Sequence, residues 1–305
     1  MRVMFCSDPL NSREPDSEYE REVAAATAAG LEWSLVDFEA LTNDGDAAAA
    51  VRRVTRSVSG EPGLFRGWML RPAVYAELFA ALGERGIRLI NDPAAYRHCH
   101  YLPESYDVIR GRTPETVWLE LGASFSLEQV HGLVEPFASK PLIVKDFVKS
   151  RKHEWLEACF IPAASDRAAV ERVVTRFLEL QGEDLAEGLV FREYVDLVTI
   201  GAHPRSRMPL AQEFRLWWLD GDLLDVTEYW SEGVYSPACS LWLVLAAAAL
   251  PRPRRRQRER RNRRPLPPRR SSRLPPRRAS PRPLVSRVLR RSRAHRKRQR
   301  PPQAG

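Results

Sequence analysis

The sequence predicts an α/β N-terminal domain, then an α+β domain, then a disordered basic C-terminal tail. Three observations carry that reading. The chain opens with the apolar and amphipathic alternation of a β-α-β unit. Three apolar strands in its middle each end on charged side chains: Lys145, then Glu193, then Glu213 with Arg215. After about Ser236 the character changes, and from Pro251 onward Arg, Pro, Ser, Leu and Ala dominate, a composition too polar and charged to bury a core.

Arg2–Ser7 reads as a buried strand. Ser17-Glu18-Tyr19-Glu20 has the pattern of a capping box opening a helix, which Gly30 stops in the left-handed conformation. Leu31–Val36 is a second strand, followed by a weakly structured stretch rich in Ala, Ser and Gly. Leu64–Leu70 reads as the next strand. Pro72 and Gly86 bracket a helix as first residue and C-terminal stop, and Ile87–Ile90 follows as a strand. No GxGxxG is present, so nothing points to a dinucleotide site here.

Ser126–Ala138 looks helical and leads into the strand that ends at Lys145, with Glu154–Ile161 as its expected antiparallel partner. Ser165 is placed to cap a helix through about Leu180. Val170, Val173, Val174, Phe177 and Leu178 fall on one face of it at helical spacing. Leu189–Val195, Leu210–Leu219 and Leu223–Tyr229 complete an antiparallel set, with Asp220-Gly221 as a turn between the last two.

At 305 residues the chain is long enough for two or three lobes. Its formal charge of +9 averages two unlike pieces. Of 48 basic and 39 acidic residues, 23 basic and one acid (Glu259) fall in 251–305, a net of +22; 25 basic and 38 acidic remain in 1–250, a net of −13. The four cysteines, Cys6, Cys99, Cys159 and Cys239, form no CxxC pair, which argues against a disulfide framework or structural zinc and fits a reducing compartment. The N-terminus has no signal-peptide stretch, and the longest apolar run, Leu241–Leu250, is half the roughly 20 residues a span needs. A cytoplasmic protein with no membrane association is expected.

A lysine leaving one strand, a carboxylate leaving the next and a Glu-x-Arg on a third have the chemistry to surround a nucleotide. The lysine meets phosphate as a point charge, and the carboxylate of Glu193 accepts hydrogen bonds from adenine or ribose. The bland reading of each is a strand with a solvated end. Glu213 and Arg215 alternate with Phe214 and Leu216, so both point to one face; they bind nucleotide, bind substrate, or pair with their neighbours. Lys149, Arg151, Lys152 and His153 form a basic segment next to Lys145, suited to a triphosphate or acidic substrate. His98-x-His100 is a weak zinc signal and better read as structural. Trp217, Trp218 and Trp230 are better read as core than as base-stacking platforms.

The order of these segments resembles the ATP-grasp superfamily, in particular its compact, uncharacterised branch, over about residues 1–236. Leu142-Ile143-Val144-Lys145 resembles its phosphate-lysine strand. Leu189-Val190-Phe191-Arg192-Glu193-Tyr194-Val195 resembles its adenine-hinge strand. Glu213-Phe214-Arg215-Leu216 resembles a following strand with a nucleotide-facing acid. Leu89-Ile90-Asn91-Asp92-Pro93 and Thr113-Pro114-Glu115-Thr116 resemble the segments that lead into the nucleotide domain. The resemblance implies a pre-ATP-grasp domain over 1–112, an ATP-grasp-like domain over 113–236, and a tail over 237–305. It further implies ATP held by Lys145, Lys149, Arg151, Lys152, Glu193, Tyr194, Val195 and Glu213, with Arg215 catalytic.

Two departures stand out. Where the superfamily carries a lysine roughly ten residues after the Asn, this chain has His98, Cys99, His100 and Tyr101. The usual glycine-rich flap is replaced by Asp146–Glu154, which has cations and no glycine. The ancestral reaction implied is ATP-dependent joining of a small-molecule or peptide carboxylate to an amine through an acylphosphate, with Mg²⁺ on the phosphates. The metal-holding acids are not found after Ser236, and Asp220, Asp222 and Asp225 are better explained by a turn. The tail is read as a shifted reading frame, against a genuine arm that binds nucleic acid through phosphates and an inert end. The competing class is a noncatalytic nucleotide- or nucleic-acid-binding protein.

Overall fold

In the computed structural model, residues 1–58, 60–122, 125–219 and 222–236 are described. The expected turn at Asp220-Gly221, the run Leu241–Leu250, Cys239 and the whole basic tail lie outside them.

The first half is a parallel sheet wrapped by helices. Its elements are β1 (Arg2–Cys6), α1 (Glu20–Ala28), β2 (Glu32–Val36), α2 (Phe38–Thr42), α3 (Ala47–Ala50), β3 (Glu61–Arg66), α4 (Pro72–Glu84) and β4 (Ile87–Leu89). The strand order is β2-β1-β3-β4, all parallel. β1 is central and buried throughout. Val3 and Phe5 pack against Tyr19, Val23 and Ala26 on one face, and Met4 packs against Leu78, Leu82 and Ile87 on the other. Burial on both faces is what a continuous apolar strand in a parallel sheet requires. Two short helices, α5 (Pro93–His100) and α6 (Leu102–Ile109), then carry the chain to the second sheet.

That sheet is antiparallel, in the order β5-β8-β6-β7, built from β5 (Thr116–Glu120), β6 (Leu142–Asp146), β7 (Phe160–Ile161) and β8 (Gly188–Glu193). α7 (Leu127–Val134) and α9 (Arg167–Gln181) cover one face; a one-turn helix, α8 (Trp155–Ala158), precedes β7. The core between them holds Val130, Val134, Leu142, Val144, Val173, Phe177, Leu189 and Phe191. Truncating a fully buried phenylalanine such as Phe177 or Phe191 costs about 3–5 kcal/mol. Gly188 is obligatory, since a Cβ there would lie 2.2 Å from the Leu119 carbonyl oxygen. Two ribbons follow: β9 (Thr199–Ala202) with β10 (Pro209–Ala211), and β11 (Phe214–Leu219) with β12 (Asp222–Glu228). No helix among the described residues is long and apolar enough to cross a membrane.

A file of rings links the first sheet's helices to the turn after β6. Tyr75 stacks on Tyr96 at 3.8 Å, Tyr96 on His100 at 5.0 Å, and Tyr101 meets Phe147 edge-on at 5.7 Å.

Several boundaries differ from those the sequence predicts. Asp16, not Ser17, caps the first helical turn, accepting from the Glu18 amide at 2.9 Å. Asp166, not Ser165, caps α9 through the Ala169 amide. The stretch expected to be weakly structured holds α2 and α3, capped by Asp37 and Asp46. The third strand begins at Glu61 rather than Leu64 and ends at Arg66, running through Pro62 and Gly63. Most of Glu154–Ile161 is helical, leaving a two-residue strand. Leu210–Leu219 is not one strand: it divides after Ala211, and its halves pair with different partners.

Candidate functional site

The uncovered face of the second sheet is where the charged strand ends meet. Lys145 pairs across β6–β8 with Val190, and Ile143 with Arg192, so these four side chains share a face. The helix-covered face takes Leu142, Val144 and Phe191. The Lys145 ammonium donates to the Asp146 carbonyl oxygen at 2.8 Å. Burial, with Arg192 nearby, brings its pKa down from 10.5 to about 8, against the opposing pull of the Asp146 carboxylate. Arg192 donates to Thr113 Oγ1 at 2.5 Å, and burial lowers its pKa as well. Among the described residues neither cation has a carboxylate within 4 Å.

Asp146 sets the turn that follows. Its carboxylate is 1% exposed and accepts from the amides of Val148 and Lys149, from Gln181 Nε2 at 2.7 Å, and from the Ala186 amide at 3.3 Å. Four donors converge on this carboxylate, and they hold the turn between α9 and the loop before β8. The chain doubles back so that Ser150 bridges to Lys145.

Glu193, expected as the adenine-hinge acid or as an ion-pair partner, does pair with a cation, though with Lys140 rather than Arg192 or Arg215. The pleat that puts Lys145 and Arg192 on one face puts Glu193 on the other, opposite Leu142. Its carboxylate is 3.1 Å from Lys140 Nζ, so it makes an ion pair rather than reaching toward Lys145. Tyr194 returns to the Lys145 side, edge-on to Phe160 at 5.2 Å and Trp155 at 5.9 Å, while its amide donates to the Pro141 carbonyl at 2.9 Å. Val195 is exposed.

The basic segment is divided among three partners. Lys149 is exposed and makes no ion pair among the described residues. Arg151 instead donates to the Leu180 carbonyl in the last turn of α9, a favourable place for a cation. Lys152 lies 4.6 Å above Trp230 and 5.4 Å from Tyr229. The His153 ring is 5.5 Å from that of His203.

Glu213 and Arg215 address the same pair of rings. Glu213 Oε2 accepts from Trp230 Nε1 at 2.8 Å, and Arg215 stacks over Tyr229 at 4.5 Å. The structure thus gathers Lys152, Glu213 and Arg215 around Tyr229–Trp230, and Trp230 packs in one cluster with Ile143 and Tyr194 of the Lys145 side. Trp217 and Trp218, expected in the core, are 54% and 38% exposed. His98 and His100 lie on a helix, so their two-residue spacing does not align them as it would on a strand. Burial pushes the Cys6 and Cys159 thiols up to about 12, which leaves neither a nucleophile at neutral pH. Among the described residues no group of three His, Cys, Asp or Glu is placed to hold a metal. Asp222 and Asp225 belong to β12 rather than to a turn, and Asp220 lies outside the described residues.

Sequence reasoning missed Arg192 and Tyr229. The alternation of apolar and charged residues in β8 contained the signal for Arg192, but its meaning needs the β6–β8 register. Nothing in the sequence singles out Tyr229.

Residues 132–250 match the family model described as ATP-grasp domain, R2K clade family 3. The match runs beyond 236, where the family resemblance was expected to stop. No curated protein matches the sequence. Solved structures that resemble the chain include a RimK domain protein ATP-grasp from Sphaerobacter thermophilus, at 17% identity over 80% of this chain and 80% of that one, TM-score 0.46. D-cycloserine synthetase DcsG is 16% identical over 74% and 67%, with a TM-score of 0.44. D-alanyl-alanine synthetase A from Vibrio cholerae is 12% identical over 79% and 71%, with a TM-score of 0.41. Over residues 132–250, then, this chain is similar to the ATP-grasp domain of the R2K clade, family 3.

Proposed function

We propose that this chain binds ATP with its phosphates against the Lys145–Arg192 face, and that the nucleotide serves the joining of a carboxylate to an amine. One observation carries the reading. Two partly buried cations share a sheet face inside the matched segment, and neither has a carboxylate within 4 Å among the described residues. Burying cations without a counter-ion is costly, and a bound polyphosphate removes that cost. Lys149, at the end of a turn locked by Asp146, adds a third cation at the rim. Tyr194, backed by the buried Trp155, lines the same side and offers apolar surface for a base.

In the reaction, the γ-phosphoryl group passes to a carboxylate oxygen, giving ADP and an acylphosphate. The amine nitrogen then attacks the acyl carbon, phosphate leaves with the bonding pair, and the amine loses a proton. The roles supported for this chain's residues are charge neutralisation by Lys145 and Arg192 and positioning by Asp146. Among the described residues no group of three His, Cys, Asp or Glu stands ready for a metal, so magnesium would enter chiefly on the nucleotide's phosphates.

Calorimetry with a nonhydrolysable ATP analogue tests the reading. Lys145→Ala and Arg192→Ala are each expected to weaken binding at least tenfold, about 1.4 kcal/mol. Equal affinity in wild type and both variants refutes it. The ligase arm predicts ADP release that depends on an added carboxylate; release indifferent to carboxylate and amine refutes that arm.

A further inference from the structure

Lys145 carries a second chemistry, that of an amine nucleophile. Among the described residues its Nζ donates to a neutral acceptor, the Asp146 carbonyl oxygen at 2.8 Å. The adjacent carboxylate of Asp146 is taken up by four other donors. Arg192 stands diagonally across the β6–β8 pair, because it opposes Ile143 while Lys145 opposes Val190. Two long side chains span a diagonal step of this kind. The Arg192 guanidinium donates to a hydroxyl, Thr113 Oγ1 at 2.5 Å, and to no carboxylate among the described residues. Both cations are partly buried, and the backbone of Ser150 pairs with that of Lys145 on the loop side. The pair lacks an acid, and the amine has the chemistry to make one.

We propose that Lys145 is a site of reversible carbamylation by carbon dioxide, and that Arg192 pairs with the carbamate formed. The Nζ lone pair makes the new N–C bond, one C–O π pair of carbon dioxide moves onto oxygen, and a proton leaves the nitrogen for solvent. An ammonium is exchanged for an anion, so two like charges on one face become an ion pair. The N–H that remains on the carbamate can still donate to the Asp146 carbonyl. Only the neutral amine reacts, and a desolvated lysine beside another cation is the kind that is neutral often enough. Burial brings Lys145 down from 10.5 to about 8; Arg192 adds to the effect, while Asp146 and Cys159 oppose it. Near pH 7.5 about a quarter of such a group is the free amine, against about one part in a thousand for an exposed lysine. The carbamate would stand where a phosphate is proposed to lie. On the nucleotide reading, carbon dioxide and nucleotide therefore exclude one another.

The test is carbon NMR of the full chain near pH 7.5 with isotope-labelled bicarbonate in equilibrium with carbon dioxide, for wild type, Lys145→Met and Arg192→Gln. The α-amino group also reacts with carbon dioxide, so its signal is common to all three. Wild type is expected to show a further carbamate signal that Lys145→Met lacks. Arg192→Gln is expected to hold roughly threefold less of it, the worth of one ion pair near a surface. Methylating the carbamate in wild type and mapping the peptides by mass should place the added group on Lys145. Spectra alike in wild type and Lys145→Met, or a methylated group found only elsewhere, overturn the proposal. Equal occupancy in wild type and Arg192→Gln overturns the pairing. Mg-ADP is expected to erase the Lys145 signal. Mg-ADP that binds in equilibrium dialysis yet leaves that signal, or that does not bind at all, overturns the nucleotide reading and leaves the carbamate standing.

Discussion

Replacing Lys145 with methionine removes the charge and keeps most of the stem. Burial and its surroundings move the ammonium from 10.5 to about 8. At about 1.4 kcal/mol per pH unit, holding it charged in the folded protein at pH 7 costs about 3 kcal/mol. Against this, the variant loses the bond from Nζ to the Asp146 carbonyl, worth about 1 kcal/mol. Lys145→Met is therefore expected to be more stable than wild type by about 2 kcal/mol at pH 7, read from urea unfolding. Between pH 8 and 10.5 the unfolded wild-type chain binds more protons at this site than the folded one, so wild-type stability rises with pH there. The advantage of the variant is complete below pH 8 and gone by about 10.5. Mg-ADP should stabilise wild type and leave Lys145→Met unchanged. A variant less stable than wild type at pH 7, with a gap indifferent to pH, refutes the account of Lys145 as a cation held at a cost for a ligand.

Three further outcomes follow from the geometry. Lys149→Ala should weaken nucleotide binding more than Lys152→Ala, because the Lys152 ammonium already rests on Trp230 and Tyr229 while Lys149 is exposed beside Lys145; equal losses in calorimetry would contradict this. Gly188→Ala should destabilise by more than about 2 kcal/mol in urea unfolding, because its Cβ would drive β5 from β8. Gly132→Ala, with nothing within 4 Å inside α7, should instead be neutral or stabilise by about 0.5–1 kcal/mol.

Much of this was legible in the residues themselves. Pro72 and Gly86 delimit α4 because each acts through its own backbone, and Gly86 has the positive φ of 78° that only glycine adopts cheaply. The apolar faces of β6, β8 and α9 followed from periodicity. The errors came where two local signals compete or where partners decide. Ser165 and Asp166 are adjacent cap formers, and only the fold shows which one reaches the Ala169 amide. Pro62-Gly63 looks like a turn, yet Gly63 lies inside β3 because a Cβ there would come within 2.7 Å of Ile87. That Glu193 and Lys145 lie on opposite faces could be seen only from the register, since one residue of pleat separates the two. The contact of Lys152 with Trp230 is invisible in the sequence, because nothing near Lys152 announces a ring almost 80 residues on.

The strand order of the second sheet bears on how the chain assembles as it is made. The parallel sheet has all four strands once Leu89 has emerged, whereas among the described residues β5 has no neighbour but β8, and Thr116 meets Arg192 across it. During synthesis β5 therefore waits, with both edges open, for a segment made some 70 residues later. In the meantime β6 and β7 have only each other, joined by two residue pairs. Distant pairing of this kind forms slowly, and an open strand edge invites other chains while it waits. Gly188, the first residue of the strand that ends the wait, lies against the backbone of β5 with no room for a side chain. A fault at that glycine would be felt first as chain lost to aggregation on the way to the fold.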